Sequence, residues 1–205
     1  MATIKSGILG GFSGSVGAVT GTSWKGIAVM KSKPISVLNP RTAAQVGNRT
    51  RFKSISLLGT AMLSSIVKPL NDRFAQKMSG FNLFCSRNAN VFDTTGIFSG
   101  EKLVIASGKI GDHEITSLTR PSSNTCTISW NSVPSTPYAL GTDKAYIAIV
   151  SLEGELIGTS AAEETRAGGG ITIDCGGVSL DGAWVYLAFL RADGTMVSNT
   201  AFSQF

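Results

Sequence analysis

From Glu101 to the C-terminus the chain consists of short apolar runs separated by turn signals. This pattern restricts the fold more than any other feature. Lys102–Ile110, Thr125–Trp130, Ala145–Leu152, Leu156–Ser160, Gly170–Cys175, Ala183–Arg191 and Met196–Phe202 read as strands. Between them stand Pro134-Ser135-Thr136-Pro137, Glu153-Gly154-Glu155, Gly176-Gly177 and Ala192-Asp193-Gly194. An Asp-Gly pair between two apolar runs is a strong hairpin signal, because Gly tolerates the positive φ that a tight turn needs. Cys126, Ile128 and Trp130 alternate onto one face, which makes Trp130 a candidate core tryptophan. Ala145–Leu152 is nearly all apolar, the pattern of a fully buried strand. Seven such strands in one segment predict an immunoglobulin- or fibronectin-like β-sandwich.

The segment before it has a different period. Asn39-Pro40-Arg41-Thr42-Ala43-Ala44-Gln45 combines a favoured N-cap residue with proline at the first helical position, so a helix is expected to start there. Ala44, Phe52, Ile55, Gly59, Met62 and Ile66 then fall on one helical face. Gly59 would let another helix approach closely, and Lys68-Pro69 is expected to end or kink the helix. Leu70, Phe74, Met78, Phe81 and Phe84 continue the apolar pattern, and Ser79 can cap a short helix running to Asn88.

Residues 1–33 carry seven glycines with apolar residues between them. Two short strands, one from Ser15 to Val19 and one from Trp24 to Met30, are expected around a turn at Thr20–Thr22. So glycine-rich a hairpin is weakly specified by itself and needs a partner surface to settle. Phe12 and Trp24 are its candidate anchors. The predicted organisation is therefore α+β: a Gly-rich arm over 1–38, a basic helical region over 39–99 and an acidic β-sandwich domain over 100–205.

Charge follows the same division. Residues 1–99 hold twelve Lys/Arg and two acids, whereas residues 100–205 hold six Lys/Arg and eleven acids. Such a chain can bind a polyanion at one end, or bind its own neighbours pole to pole. Charged residues are only 15% of the chain. That is low against roughly 25% for a typical soluble domain, so much of the surface is expected to meet other copies of the protein. Arg41, Gln45, Arg49 and Lys53 are spaced four apart, as one turning helical stripe. A cation such as Arg41 beside a helix N-terminus opposes the helix dipole, which points to an anionic partner. Lys25, Lys31, Lys33, Arg41, Arg49, Arg51 and Lys53 are the candidate contacts to nucleic acid or to the acidic half of a neighbouring subunit.

Catalytic chemistry has little to stand on. The one histidine, His113, lies in a polar Asp112-His113-Glu114 stretch that reads as an exposed loop. Neither Gly10-Gly11-Phe12-Ser13-Gly14 nor Ala167-Gly168-Gly169-Gly170 has the ending or the strand-to-helix setting of a phosphate loop. Glu163 and Glu164, as adjacent strand residues, would face opposite ways. Cys85, Cys126 and Cys175 make neither a disulfide framework nor a zinc pattern, although Cys126 and Cys175 both fall at inward strand positions. No cofactor, metal site or membrane span is expected. Ile8, Leu9, Phe12, Val16 and Val19 are too interrupted by Gly and Ser to form a signal-peptide core, so the chain is expected to be made in the cytoplasm from Met1.

The stretch from Gly7 to Gly17, together with Ser23-Trp24-Lys25-Gly26, Ser32-Lys33-Pro34 and Asn39-Pro40-Arg41-Thr42-Ala43-Ala44-Gln45, resembles the N-terminal signature of a domain-of-unknown-function family. The resemblance continues through Met78-Ser79-Gly80-Phe81-Asn82-Leu83-Phe84 and the closing Val197-Ser198-Asn199-Thr200. It implies an origin in Bacteroidota genomes and their phages, and it carries over no catalytic residue. The function expected from these features is a non-enzymatic, self-assembling structural protein located in a virion, as a capsid or coat component. The competing expectations are a cytoplasmic nucleic-acid-binding accessory protein and a surface adhesion or glycan-binding sandwich.

Overall fold

The computed structural model describes residues 3–4, 10–36, 39–111, 114–122, 124–133 and 136–205. His113, Asp112 and the Pro134-Ser135 turn signal lie outside the described residues, as do Gly7, Ile8 and Leu9 of the expected arm. The described chain is a mixed helix and sheet protein with three antiparallel sheets and three α-helices. It divides into two compact units, Met1–Thr42 and Ala43–Phe205.

The first unit is a four-stranded antiparallel meander of β1 (Thr3–Ile4), β2 (Phe12–Val16), β3 (Val19–Trp24) and β4 (Ile27–Ser32). The expected turn at Thr20–Thr22 is instead the middle of β3, and the chain reverses at Gly17-Ala18 and at Lys25-Gly26. The reason is local backbone geometry. Lys25 and Gly26 have φ of 45° and 83°, and two successive positive φ values fit the twist of a tight hairpin. β-branched Thr20 and Thr22 suit the pleated strand better than a turn.

The second unit opens with α1 (Ala43–Ala61). The helix begins after the expected Asn39-Pro40 start, directly behind Thr42, another residue type favoured at N-caps. Arg41 consequently stands outside the helix, and only Gln45, Arg49 and Lys53 of the expected stripe lie on it. After α1 the backbone widens into a π-turn over Leu63–Val67, where the Val67 N–H donates to the Met62 carbonyl at 3.0 Å. Pro69 therefore does not stop the helical path. It sits in the first turn of α2 (Lys68–Asn71), where its missing N–H is not needed.

A single 3-10 turn over Asp72–Phe74 follows, and then α3 (Gly80–Arg87), capped as expected by Ser79, whose hydroxyl accepts from the Asn82 N–H at 3.2 Å. A side chain at Gly59 would lie 3.0 Å from the Phe84 ring and 3.1 Å from Phe81, so glycine is what lets α3 close on α1. Ile55, Gly59, Met62 and Ile66 are buried as the period predicts, but Ala44 is exposed and Phe52 is 62% exposed. The buried line of α1 runs through Gly47, Ile55 and Leu58, which carries it past Phe52.

Seven strands complete the unit: β5 (Ile115–Thr119), β6 (Thr125–Trp130), β7 (Lys144–Val150), β8 (Leu156–Thr165), β9 (Gly170–Asp174), β10 (Trp184–Leu190) and β11 (Ala201–Gln204). They form one sheet in the order β11-β10-β7-β8 and another in the order β5-β6-β9. Cys126, Ile128, Trp130 and Ile173 of the smaller sheet share a core with Ile147, Ile149, Val185, Leu187 and Phe189 of the larger one. The opposite face of β7 and β10 offers Tyr146, Ala148, Val150, Tyr186 and Ala188. These pack with Ile55, Leu58, Met62, Ile66, Leu70 and Phe84 of the helical segment. Both strands are thus covered on two faces, which is why each reads as a continuous apolar run instead of an alternating one. The change from basic to acidic composition near Gly100 falls inside this unit.

Two expected strands are corrected. Lys102–Ile110 is not a strand, although Leu103, Ile105, Ala106 and Ile110 are buried. Its backbone is satisfied mainly by side chains. Asn88 accepts from Val104 N–H at 2.8 Å and donates to Val104 C=O at 2.9 Å. Asn71 donates to Ile105 C=O at 3.1 Å. The Thr200 hydroxyl accepts from Ile105 and Ala106 N–H at 3.0 Å each. Buried amides therefore replace a ladder, and β5 takes the place of the first strand. The last strand begins at Ala201 instead of Met196. Val197 bridges Leu190 and Ser198 pairs with Phe189, and Thr200 is then drawn off to the buried strap.

Candidate functional site

The surface of the first unit is set by its register. Pairing of Trp24 with Ile27, Thr22 with Val29 and Thr20 with Lys31 puts these side chains on one face. Gly21 and Met30 point to the other, where the Phe12 ring lies across Gly21. Phe12 is therefore partly covered. On the opposite face Trp24, Ile27 and Val29 are 52%, 44% and 41% exposed, and all six residues of β4 are exposed. β4 is also a sheet edge with an unbroken register to β3. One face thus runs from apolar Ile27 and Val29 to Lys31, with Lys33 next in the alternation.

The expected cationic contacts divide between the two units. Lys25 lies in the β3–β4 turn, Lys31 on β4, Lys33 just beyond it and Arg41 before α1, all exposed. Arg49 and Lys53 are exposed four residues apart on α1, with Gln45 in the same line. Arg51 points elsewhere. It is half-buried beside a hollow of about 320 Å³ that it shares with Phe52, Cys85 and Asn90, and its Nε is buried without a hydrogen-bond partner. α1 carries no acidic residue along its nineteen residues.

The sequence reading missed a groove in the second unit. It lies between the second half of α1 and the β7–β8 turn and has a volume of about 290 Å³. Leu57, Ala61, Phe92 and Leu156 supply its apolar lining, and Glu153 and Glu155 stand at its edge, both exposed. Gly154 shapes that edge. Its φ is 84°, and a side chain there would run into the Phe92 ring at 2.6 Å. The turn therefore sits down on Phe92 and holds its two carboxylates outward. Glu153-Gly154-Glu155 was legible as a turn, but nothing in the local sequence says that Leu57 and Phe92 arrive beside it.

The described thiols and several of the charged side chains of the second unit are buried or engaged in local contacts. Cys85, Cys126 and Cys175 are free and buried. Burial raises the pKa of each thiol, and for Cys126 desolvation and the nearby Cys175 push it up to about 12. Glu163 accepts from the Ser160 hydroxyl at 3.1 Å, and Glu164 accepts from the Thr165 N–H at 3.3 Å. Asp143 and Arg166 are fully buried, with Arg166 Nε 3.6 Å from Asp143 Oδ2. The Arg166 guanidinium lies 3.9 Å over the Phe189 ring, and Trp130 Nε1 donates to the Arg166 carbonyl at 2.9 Å. That constellation ties the end of β6, the residue before β7, the turn after β8 and β10 together. Among the described residues no group of three His, Cys, Asp or Glu side chains could hold a metal ion. No described helix is long and apolar enough to cross a membrane.

These features define a class, a mixed helix and sheet protein of three antiparallel sheets with an exposed apolar meander at its N-terminal end. The chain belongs to the family of unknown function DUF6266, whose model matches residues 11–203. No curated protein matches the sequence. Among solved structures, the chain has a likeness to two crystal forms of pectate lyase Pel3 from Pectobacterium carotovorum, each at 16% identity. One match covers 45% of this chain and 26% of the lyase at a TM-score of 0.27, and the other covers 46% and 27% at 0.28. The chain spans about a quarter of those proteins' length, and a likeness this low carries no argument about fold or activity.

Proposed function

We propose that this protein is a non-enzymatic, self-assembling structural subunit, a capsid or coat component of a phage virion infecting Bacteroidota. The observation that carries the reading is the four-stranded meander with Trp24, Ile27, Val29 and Met30 exposed on a chain poor in charge. A small sheet without a covering layer is marginal in water, and an unguarded apolar edge is a template for pairing. Packing against other copies supplies the missing layer. The strand orders β11-β10-β7-β8 and β5-β6-β9, with Trp130 in the shared core, support a fibronectin-like sandwich as the rigid body of the subunit.

The test is to purify the full chain, follow size exclusion at 260 and 280 nm, and image the void fraction by electron microscopy. Rings, tubes or regular particles are expected. A monomer at high protein concentration, free of nucleic acid, overturns the reading.

The wholly cationic charge of α1 favours a second reading, contact with packaged or cytoplasmic nucleic acid through Arg49 and Lys53. A binding constant for double-stranded DNA that falls steeply with salt would support it. Its absence at low salt would remove it.

A further inference from the structure

We propose that the groove beside Glu153 and Glu155 receives the β4 strand of a second copy of this chain. The inference rests on the self-assembly reading and adds its contact surface. The argument is one of matched order. Along one face of β4 the residues run Ile27, Val29, Lys31, with Lys33 continuing the alternation, so two apolar side chains precede two cations. The groove offers an apolar lining from Leu57, Ala61, Phe92 and Leu156, bordered by two carboxylates. Both charged pairs are spaced two residues apart.

Neither Glu153 nor Glu155 is in an ion pair among the described residues. A second hollow of about 370 Å³ is lined by the same Glu153 and Glu155, together with Asp181, whose charge is met by Arg120 at 3.6 Å. The apolar contact supplies affinity, while the charges set direction and register. The same contact gives the two electrostatic poles of the chain a role, because the basic arm of one subunit meets the acidic turn of the next. A heterologous, head-to-tail contact of this kind closes into rings or extends into filaments.

The edge strand that borders the groove is unsuited to simple strand addition. Pairing of Lys144 with Thr165 but Tyr146 with Ala161 leaves two extra residues in β8, and Ala162 takes a φ of 61°. That bulge interrupts the far end of the free edge of β8, and a second register shift, Ile149 with Gly158 but Val150 with Leu156, lies beside the groove. β4 is therefore placed in the groove by its side chains, not as a fifth strand of the sheet.

Charge exchange in the full chain tests the contact. E153K/E155K and K31E/K33E are each expected to raise the concentration needed for assembly by roughly tenfold or more, because like charges then face each other. A chain carrying all four changes is expected to recover assembly. A second measurement fixes the geometry: V29C and L57C chains are mixed and treated with a short bis-maleimide, the native cysteines being buried. A V29C–L57C heterodimer is expected.

Linkage only when both substitutions sit in one chain means that the subunit's own arm fills the groove, and it overturns the proposal. Unaltered assembly of E153K/E155K also overturns it, while leaving self-assembly standing. A wild-type chain that never assembles removes the underlying reading as well.

Discussion

In the Ala43–Phe205 unit, β7 and β10 have helices on one face and a second sheet on the other, and their side chains are almost completely buried. In the Met1–Thr42 unit β4 is of similar length, also carries Ile, Val and Ala, and has every residue exposed. Residue type alone does not distinguish the two environments. Glycine content does, because a segment built on Gly11, Gly14, Gly17 and Gly21 has too few side chains to build a second layer from its own residues. The edges differ in the same sense. The edge strand β8 is broken by a bulge around Ala162, and β4 runs in regular register to its end. One unit buries its central strands on both faces, and the other leaves every residue of β4 exposed.

The largest effect that can break this comparison lies in the second unit. Arg166→Ala removes one partner of a fully buried ion pair and strands Asp143, and it should cost about 3–5 kcal/mol of unfolding free energy in a urea titration. Phe84→Ala should cost about as much, roughly 3–5 kcal/mol, by opening a cavity between α1, α3 and the sheet. If either variant unfolds like the wild type, the second unit is not the close-packed body described.

Asn88→Ala should cost less, about 1–3 kcal/mol, by leaving the Val104 N–H and C=O without their buried partner. Hydrogen exchange should then rise selectively across the 103–108 strap. On the first unit the expectation reverses. Trp24→Ser should leave the urea midpoint of the chain nearly unchanged, within about 0.5 kcal/mol, as for an ordinary surface substitution, while weakening assembly. A large loss of stability from Trp24→Ser would mean that the meander belongs to the cooperative core.

The smallest effect concerns acid. The Thr195 hydroxyl and N–H hold the Asp193 carboxyl below its ordinary value of 3.8, and the Thr95 hydroxyl and Ile97 N–H do the same for Asp93. A lowered folded value means that the unfolded chain binds more protons across that window. The contribution is therefore present above the ordinary carboxylate range and is lost as pH falls through the lowered values. Asp193→Asn should flatten the acid limb of a pH–stability curve slightly and leave the neutral region unchanged in slope. An unaltered acid limb would remove the assigned role of the Asp193 turn.

Much of the second unit is legible in the sequence. Alternation placed Cys126, Ile128 and Trp130 inward, the unbroken apolar run announced β7, and Ser79 marked the start of α3. The failures have physical causes. The Lys102–Ile110 run is apolar enough for a strand, but its hydrogen bonds go to Asn88, Asn71 and Thr200, residues up to 95 positions away. The turn in the arm was misplaced because Lys25 adopts a positive φ that its side chain does not advertise. The groove edged by Glu153 and Glu155 was invisible because its lining comes from three separate segments.

Local sequence sets where the chain can be apolar, where it must turn, and that its basic and acidic residues are segregated. Those properties follow from local sterics and composition, which act within a few residues. Which apolar faces are covered and which stay open is settled in the folded chain. Tertiary packing also sets the helical segment on one face of the larger sheet and the smaller sheet on the other, and brings an acidic turn to the border of an apolar groove. Those outcomes depend on side chains brought together from distant positions, where burial and hydrogen-bond satisfaction are properties of the assembled chain.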